Sequence, residues 1–240
     1  MGWVMAPIDE ILVSLAPGES RFALLAKGIP VEFLIDRGGI AAGDLVLGRV
    51  LSVNRALNAA FVDIGEAEAG FLAAPGPHGE GASVLLQVTA AARGGKGAAL
   101  TAAPSLQGRL LAFTPSRAGL NLSRRITDET RRDGLRRLLA PLLMPGEGLV
   151  VRTEAAMASD DALSAELATL RERWRTVLGE AAKAAPPARL ESASPLVRLL
   201  ADHPSVRRLR ADDRAALAEV RALFPEACCE DGVFEREAGE

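Results

Sequence analysis

The sequence predicts an α+β protein that contains a five-stranded β-barrel of the OB type, and two observations support this prediction. Residues 38–103 contain five short apolar runs at roughly regular spacing, separated by Asn, Gly and Pro. Five short strands punctuated in this way are typical of a small closed barrel. After Pro104, strand-like runs alternate with apolar residues at helical spacing, so helices and strands are expected to be mixed there.

Three strands are predicted before the barrel, because the runs EILVSLAP, SRFALLAK and VEFLID are short, apolar and separated by glycine and proline. The barrel strands are predicted over DLVLGRVLSV, AAFVDIG, AGFLAA, SVLLQVTAAA and GAALTAA. Downstream of the barrel, strands are predicted over GRLLAFT, LNLSRRI and GLVVRT.

Two helices are predicted in this region, one before the strand GLVVRT and one after it. Thr127 is a suitable N-cap, with Asp128 and Glu129 in the first turn, where the helix dipole favours acids. Ser159 is predicted to begin a second helix, whose apolar residues have the spacing of an amphipathic helix packed on a sheet. That apolar face consists of Leu163, Leu167, Leu170, Trp174 and Val177.

The linker AAKAAPPARLES is predicted to interrupt this pattern near residue 186, because proline ends helices. Beyond the linker, Ser194 and Pro195 are predicted to begin a helix over LVRLLADH, and Asp212 with Asp213 to begin another. No closing strand is predicted after Pro225. The inward face of the last helix is predicted to be Leu217, Val220, Leu223 and Phe224.

Composition limits the classes of function. The net charge of −3 argues against a protein that is basic throughout, but between Thr101 and Glu154 nine arginines accompany only five acids. The adjacent Cys228 and Cys229 suit neither a disulfide with each other nor a zinc site. No secretory signal and no apolar run of about 20 residues is present. We therefore expect a soluble cytoplasmic protein.

Candidate nucleic-acid ligands lie in the predicted barrel. Phe61 and Phe71 are flanked by small residues, and single-stranded nucleic acid needs exposed aromatic rings on which its bases stack. Lys96 lies in the glycine-rich run RGGKGAAL, from which it can reach a phosphate. The alternatives are that the phenylalanines belong to the core and that the lysine lies in a solvated turn.

A candidate anion site lies in GEGLVVRTEA, residues 146–155, where a strand ends in Arg152 and Thr153. A guanidinium can grip a phosphate with two parallel hydrogen bonds, and a neighbouring hydroxyl can donate a third. The alternative is a structural salt bridge from Arg152 to Glu154 or Glu147.

Four segments, LNAAFVDIGEAEAGFL, RGGKGAALT, SRRI and GEGLVVRT, resemble in order and separation the amino-terminal half of the bacterial ribonuclease E/G family, which cuts single-stranded RNA. The resemblance implies a split RNase H-like scaffold with an inserted OB-type barrel and an α+β module that senses the 5′ end of RNA. The expected division is 1–37 and 191–240 for the RNase H-like parts, 38–103 for the barrel and 104–190 for the sensor module.

The resemblance also implies roles for individual residues. Phe61 and Phe71 correspond to the base-stacking aromatics of the family, and Lys96 corresponds to its RNA-contacting lysine. Arg152 and Thr153 correspond to its 5′-monophosphate pocket. Gly108 corresponds to the glycine whose backbone approaches the RNA end.

Two residues depart from the family pattern at the expected phosphate pocket. Glu154 stands where a small residue is usual, and Ala112 stands where a larger aliphatic side chain usually lines the pocket.

Arginines outside this pocket are assigned less specific roles. Because alternate residues of a strand face opposite ways, one of Arg124 and Arg125 is expected to support the RNA groove, and the other to pair with Asp128 or Glu129. The run RRDGLRR is expected to be a solvated helix face.

The resemblance places the hydrolytic chemistry outside these 240 residues. In the family, two aspartates in a downstream domain hold magnesium, and a Cys-x-x-Cys segment shares zinc between subunits. The pairs Asp160–Asp161 and Asp212–Asp213 are explained as residues at helix starts. We therefore expect no catalytic residue, metal or cofactor site in this chain, and the zinc-mediated oligomer is not expected from it.

The sequence is compatible with three functions. The chain is either the RNA-recognition half of a longer endoribonuclease or a short homologue that binds RNA or a protein without cutting. The third is an interaction module that has lost RNA binding.

Overall fold

The computed structural model describes residues 7–192, 194–203, 205–221, 224 and 226–238. Contacts within the chain define two units, which we call the terminal unit (residues 1–39 with 194–240) and the central unit (residues 40–193). Both units combine strands with helices, as the α+β prediction requires. Within the described residues, no helix is both long and apolar enough to cross a membrane.

The strands are β1 (Glu10–Ala16), β2 (Glu19–Ala26), β3 (Ile29–Asp36), β4 (Leu45–Asn54), β5 (Ala59–Asp63), β6 (Gly70–Ala73), β7 (Ser83–Ala90), β8 (Ala99–Thr101), β9 (Leu106–Gln107), β10 (Leu111–Thr114), β11 (Gly119–Leu122), β12 (Gly148–Val151), β13 (Ala188–Glu191), β14 (Arg208–Ala211) and β15 (Cys228–Cys229). The helices are α1 (Glu129–Leu139), α2 (Asp160–Ala181), α3 (Pro195–Asp202), α4 (Arg214–Arg221) and α5 (Val233–Ala238).

The terminal unit is built on a five-stranded sheet of order β15-β14-β1-β2-β3. The three strands predicted before the barrel are confirmed as the antiparallel run from β1 to β3. β14 pairs parallel with β1, and β15 pairs parallel with β14 through Arg210 opposite Cys228. The prediction that no strand follows Pro225 is therefore wrong. A two-residue strand has too little pattern to be found without its partner.

A buried ionic group explains how the charged strand β14 enters this sheet. Arg210 is 7% exposed and donates hydrogen bonds to Glu10, Glu230 and Glu237. The bond with Glu237 and those with the other two carboxylates raise the pKa of Arg210 against the opposing effect of burial. Because Glu10 is itself 6% exposed, loss of the arginine would leave a carboxylate buried without its cation.

The helices α3 and α4 are predicted correctly in position, whereas α5 is not predicted. α3 begins after Ser194 with Pro195 in its first turn. Asp213 accepts a hydrogen bond from the amide of Ala216, 2.8 Å away, at the start of α4. Asp212 instead accepts from the amide of Phe234 in α5, at 3.0 Å. Leu223, predicted to face inward, lies outside the described residues.

The central unit contains a closed five-stranded barrel, as predicted. Its strands follow the order β4-β5-β6-β8-β7, and the barrel closes because β7 also pairs with β4. Only the pairing of β6 with β8 is parallel among these strands. The architecture is consistent with an OB-type barrel. Its interior is filled by small and branched residues, including Val46, Val50, Ala60, Val62, Leu72, Leu86 and Val88.

The remainder of the central unit is a four-stranded sheet of order β11-β12-β10-β9, covered by α2. Ser159 caps α2 through a hydrogen bond from the amide of Ala162, as predicted. The predicted apolar face is confirmed, because its three leucines and Val177 are buried and Trp174 packs against the same core. α1 begins one residue later than predicted, since the carboxylate of Asp128, and not Thr127, receives the first amides.

The predicted linker near residue 186 contains a strand that the sequence pattern does not reveal. α2 ends at Ala181, and β13 follows a cis peptide bond between Pro186 and Pro187. β13 pairs antiparallel with β4 and thereby adds a sixth strand beside the barrel. The run ARLE alternates poorly, so only its distant partner reveals it as a strand.

Candidate nucleic-acid interface

Phe61 and Phe71 lie opposite each other on the outside of the barrel. Strand alternation sends their neighbours Ala60, Val62 and Leu72 into the barrel core, so the two rings point outward. The ring centroids are 6.1 Å apart and the rings are nearly perpendicular, at 72°. The ring of Phe71 is 40% exposed, so it is not a core residue. Adjacent strands thus place an aromatic pair on the outside of the barrel, in which Phe71 is exposed and Phe61 is half-buried.

Lys96 lies in a two-glycine turn next to these rings. Arg93 and Lys96 exchange backbone hydrogen bonds of 3.0 and 3.1 Å, and Gly94 and Gly95 between them have positive φ angles of 58° and 74°. Such a turn favours glycine at both central positions.

This turn is fixed beside the aromatic pair. The amide of Phe71 donates to the carbonyl of Ala98, 2.7 Å away and two residues beyond the exposed Lys96. Gly97 permits the close approach, since a Cβ there would lie 1.8 Å from the carbonyl oxygen of Ala69. We call Phe61, Phe71 and Lys96 the aromatic surface.

A polar cavity of about 580 Å³ opens at one end of the same hairpin. It is bounded by the loops that follow β4 and β6, and begins at Ala59, which pairs with Ala73. The pair Phe61–Phe71 is two residues further along, or about 7 Å. The polar residues that line the cavity are Asn54, Arg55, Asn58, His78 and Glu80.

Arg152 and Gly108 are brought together at the end of β12. The amide of Arg152 donates to the carbonyl of Leu110, 2.8 Å away, and its guanidinium donates to the side-chain oxygen of Gln107, the residue before Gly108. The hydroxyl of Thr153 lies 3.0 Å from that of Ser123. The side chain of Thr153 is thus held by the residue that follows β11, whereas Arg152 is held by the end of β9 and by the turn after it.

Glu166 is the unexpected member of this region. Its Oε1 accepts hydrogen bonds from the amides of Leu110 and Leu111, each 2.8 Å long. Burial raises the pKa of this carboxyl above its ordinary value, although the two amides and the charges of Arg152 and Arg109 act in the opposite direction. We call Gly108, Arg152, Thr153 and Glu166 the Arg152 corner.

The run RRDGLRR was expected to be a solvated face, and this is wrong for its first two arginines. Arg131 donates to the carbonyls of Ala155, Ala156 and Ala158, and so fixes the turn that follows Thr153. Arg132 similarly binds the carbonyls of Ser123 and Ile126. These arginines satisfy backbone groups of loops, which helical spacing cannot predict.

Arg124 and Arg125 do not lie on a strand, because β11 ends at Leu122 and both residues occupy an exposed turn. The argument from strand alternation therefore fails for them. The expected acidic partners are also engaged elsewhere, since Asp128 caps α1 and Glu129 lies 3.5 Å from Arg132.

Glu147 is not the partner of Arg152 that one alternative required. It receives hydrogen bonds of 3.1 and 3.2 Å from Nε of Arg171. Burial alone would raise the pKa of Glu147, but the hydrogen bond from Arg171 and that from the amide of Met144 outweigh burial and lower it. This ion pair fixes the loop that leads into β12.

The sequence argument missed Gln107 and Glu166. Glu166 offers a usable signal, because it lies among Leu163, Leu167 and Leu170 on the apolar side of an amphipathic helix. A carboxylate at such a position needs a partner inside the protein. Gln107 offers no comparable signal, since it occupies a two-residue strand.

Among the described residues, no group of three or more His, Cys, Asp or Glu side chains is placed to hold a metal ion. Cys228 and Cys229 are free thiols. Asp160, one of the acids explained as a helix start, lies 3.6 Å from Arg131.

The fold and these surfaces define an α+β protein with an OB-type barrel that presents an aromatic pair. Comparison with known proteins gives the family. Residues 105–232 match the model of the ribonuclease E/G family. This chain belongs to that family.

Individual relatives agree with this assignment. The chain is 33% identical over 209 residues to ribonuclease E of Synechocystis sp., covering 79% of this chain and 31% of the relative. It is 30% identical over 247 residues to ribonuclease G of Haemophilus influenzae, covering 90% and 50%. It is 32% identical over 195 residues to ribonuclease G of Salmonella typhimurium, covering 70% of this chain and 40% of the relative. The matches thus span half or less of each of these relatives.

Proposed function

We propose that this chain binds single-stranded RNA through its barrel and recognises a 5′-monophosphate at the Arg152 corner. In this proposal it is the RNA-recognition part of a ribonuclease E/G-type endoribonuclease that acts in RNA processing or decay. The observation that supports the proposal best is the pair of half-buried Phe61 and exposed Phe71 on the outside of the barrel, beside the turn of Lys96.

The barrel has the features that sequence-tolerant binding of a single strand needs. OB-type barrels bind oligonucleotides on the face of their second and third strands, which here are β5 and β6 with Phe61 and Phe71. Bases stack on such rings whatever their sequence, and Lys96 supplies a cation for the backbone. The polar cavity extends this surface toward His78 and Asn58, which offer hydrogen-bonding groups to a neighbouring nucleotide.

The Arg152 corner supports recognition of a terminal phosphate. Its guanidinium is oriented by Gln107, and the hydroxyl of Thr153 lies at the end of the same strand. A terminal monophosphate differs from a hydroxyl by about two negative charges, which an arginine can distinguish. Ala112 is 6% exposed between Gln107 and Val150, so in this proposal it offers the ligand little surface.

The proposed organisation follows the family. Residues 1–37 and 191–240 are assigned to a split RNase H-like domain, 38–103 to the barrel and 104–190 to the 5′-sensor module. Magnesium and zinc chemistry is assigned to the family's downstream segment, and no cofactor is assigned to this chain.

A binding titration tests the proposal. Two oligonucleotides of one sequence, one with a 5′-monophosphate and one with a 5′-hydroxyl, are titrated against the protein, and the phosphate form is expected to bind more tightly. Equal affinity for both would remove the 5′-recognition part. Failure to bind either RNA at low salt would remove the whole proposal.

A second candidate is a protein-interaction module, which one feature of the terminal unit favours. The edge strand β3 exposes four large apolar side chains, Ile29, Val31, Phe33 and Ile35, at 66%, 41%, 50% and 51% exposure. Phe33 and Ile35 share one face of the sheet, because they pair with Ala23 and Arg21. A salt series separates the candidates, because binding through RNA phosphates weakens steeply with salt and an apolar contact does not.

A further inference from the structure

The carboxylate of Glu166 occupies backbone donors of the Arg152 corner. Its Oε1 is held by the consecutive amides of Leu110 and Leu111, both at 2.8 Å. Consecutive amides directed at one oxygen are an arrangement with which proteins hold phosphate and carboxylate groups. An anion that belongs to the chain itself therefore uses donors that a bound phosphate could use.

Gly108 fits around this carboxylate. A Cβ at residue 108 would lie 2.4 Å from Oε1 of Glu166 and 3.0 Å from the carbonyl oxygen of Leu111. The space left by the missing side chain is thus filled by Glu166. The need for glycine at this position follows from the carboxylate, whatever ligand approaches from outside.

The charges around Glu166 determine the electrostatic cost of binding a second anion beside it. Arg152 and Arg109 act on it electrostatically, and both favour its ionised form. Arg173, on the same helix, binds the carbonyl of Gln107 at 3.1 Å and is paired with Glu191. Burial opposes the ionised form and leaves the pKa of the Glu166 carboxyl raised. A second anion beside this group adds to the cost of keeping it ionised.

We propose that Glu166 is a specificity-determining residue that acts as a built-in competing anion and limits the preference of the Arg152 corner for a 5′-phosphate. The inference rests on the proposed 5′-monophosphate recognition and names the residue that regulates it. A phosphate that approaches Arg152 meets a carboxylate of its own sign. Binding then requires this carboxylate to leave the two amides or to take up a proton.

The arrangement favours a phosphate that is attached to RNA. An oligonucleotide held on the aromatic surface presents its own 5′ end at a high effective concentration, which a free phosphate ion lacks. The tethered phosphate can therefore displace the carboxylate where free phosphate does not. Glu166 would thus keep free phosphate out of the corner, whereas a tethered 5′-phosphate can still enter it.

The test uses Glu166→Gln, which keeps the side-chain oxygen that accepts from Leu110 and Leu111 but removes the charge. The ratio of the dissociation constants for the 5′-hydroxyl and 5′-phosphate RNAs is measured in both proteins. It is expected to rise about tenfold in the variant, because like charges a few ångströms apart repel substantially near a protein surface. An unchanged ratio would overturn the role of Glu166.

Glu172→Gln is the matched control. Glu172 lies on the same helix α2, its side chain is 65% exposed, and it pairs with Arg175. This change is expected to leave the ratio unchanged. Thermal unfolding of both variants establishes that they are folded, and Glu166→Gln is expected to unfold near the wild-type temperature because its acceptor is retained.

A pH series tests whether Glu166 acts through its charge, because a purely structural role would not make the ratio of dissociation constants depend on its ionisation. The second ionisation of the phosphate affects both proteins alike, so the wild-type ratio is compared with that of Glu166→Gln at each pH. As the pH rises through the raised pKa of Glu166, this carboxyl ionises in the wild type only, and the advantage of the variant is expected to grow. A constant advantage would contradict titration of this carboxyl.

The outcomes separate this inference from the proposed function. If wild type and Glu166→Gln both bind the two RNAs equally, 5′ recognition fails and the inference fails with it. If both prefer the phosphate to the same degree, 5′ recognition stands and only the role of Glu166 is removed. If the preference is larger in the variant, both stand.

Discussion

The aromatic surface and the Arg152 corner belong to one unit but are built in opposite ways. The ring of Phe71 and the side chain of Lys96 are exposed, and the groups that fix them are backbone amides and carbonyls. At the corner, Arg152, Thr153 and Gly108 are each already in contact with a side chain of the protein.

In the proposed function, this difference gives the two regions different roles, one in affinity and one in selectivity. Stacking a base on an exposed ring breaks no hydrogen bond within the protein, so it would contribute affinity for any RNA. A ligand at the corner must replace internal hydrogen bonds, and only the difference between new and old contacts remains. We therefore expect the aromatic surface to set the overall affinity and the corner to distinguish 5′ ends.

The largest effect is expected from removing both rings. Phe61→Ala with Phe71→Ala should weaken RNA binding by about a hundredfold, because each stacked base contributes roughly 1–3 kcal/mol. Fluorescence anisotropy at fixed salt measures this loss. Phe33→Ala is the control, since that ring is 50% exposed in the terminal unit and should leave RNA affinity unchanged. Equal losses in the two proteins would contradict a specific aromatic surface.

The next effect concerns the internal contacts of the corner. Gly108→Ala should lower the free energy of unfolding by about 2 kcal/mol, because the new methyl group displaces Glu166 from two amides. Urea unfolding measures the change. Gly134→Ala is the matched control: a Cβ at this position in helix α1 would meet no atom within 4 Å apart from its chain neighbours and the backbone of its own helix, so alanine should stabilise slightly. If both variants behave alike, the close contact with Glu166 is unimportant.

A smaller effect is expected at the loop before β12. Glu147→Gln should cost roughly 1 kcal/mol at neutral pH, because the carboxylate binds Arg171 and its side chain is only 14% exposed. The pKa of Glu147 is lowered in the folded state, so its contribution is present above the unfolded-state pKa and is lost as the pH falls through the folded-state pKa. Thermal unfolding at several pH values should show the two proteins converging in acid. A constant difference would contradict the ion pair.

The smallest effect is expected at Lys96. Lys96→Gln should weaken binding about threefold for all RNA sequences and reduce the slope of log affinity against log salt by about one. The side chain of Lys96 is exposed and the turn is held by backbone hydrogen bonds, so the free energy of unfolding should not change. A change in the preference between 5′-phosphate and 5′-hydroxyl would instead assign Lys96 to the corner.

Much of the barrel could be predicted from sequence because its information is local. Runs such as AAFVDIG have small and β-branched residues at strand spacing, and glycine and asparagine mark their ends. The outward position of Phe61 follows from the burial of Ala60 and Val62 once the strand is known. Strand alternation and one glycine turn place the three residues of the aromatic surface, but their proposed RNA-binding role came from the family resemblance.

The strands β13, β14 and β15 could not be predicted because their information is not local. They have two to four residues and contain charges or cysteines, and each is stabilised by a partner strand. Arg210 is buried only because Glu10, 200 residues earlier, accepts its hydrogen bond. No window of sequence contains both members of such a pair.

The contacts of the corner were missed for a related reason. Arg131 lies on α1, Glu166 lies on α2 and Arg152 follows β12, and each binds a group that is at least 24 residues away in the sequence. Sequence patterns identify Arg152 as a candidate ligand, but they do not reveal which carboxylate opposes it. From the sequence, Glu154 is the acid expected to place negative charge beside the anion site. In the structure, the carboxylate that lies against Gly108 belongs to Glu166.

One measurement tests the separation of the two regions most directly: the affinities of wild type, Phe71→Ala and Arg152→Ala for the 5′-phosphate and 5′-hydroxyl forms of one oligonucleotide. Phe71→Ala is expected to weaken both forms about equally, by roughly tenfold. Arg152→Ala is expected to weaken only the phosphate form and to abolish its preference. If each substitution instead weakened both forms to the same extent, the two regions would not have separate roles, and the account would be wrong.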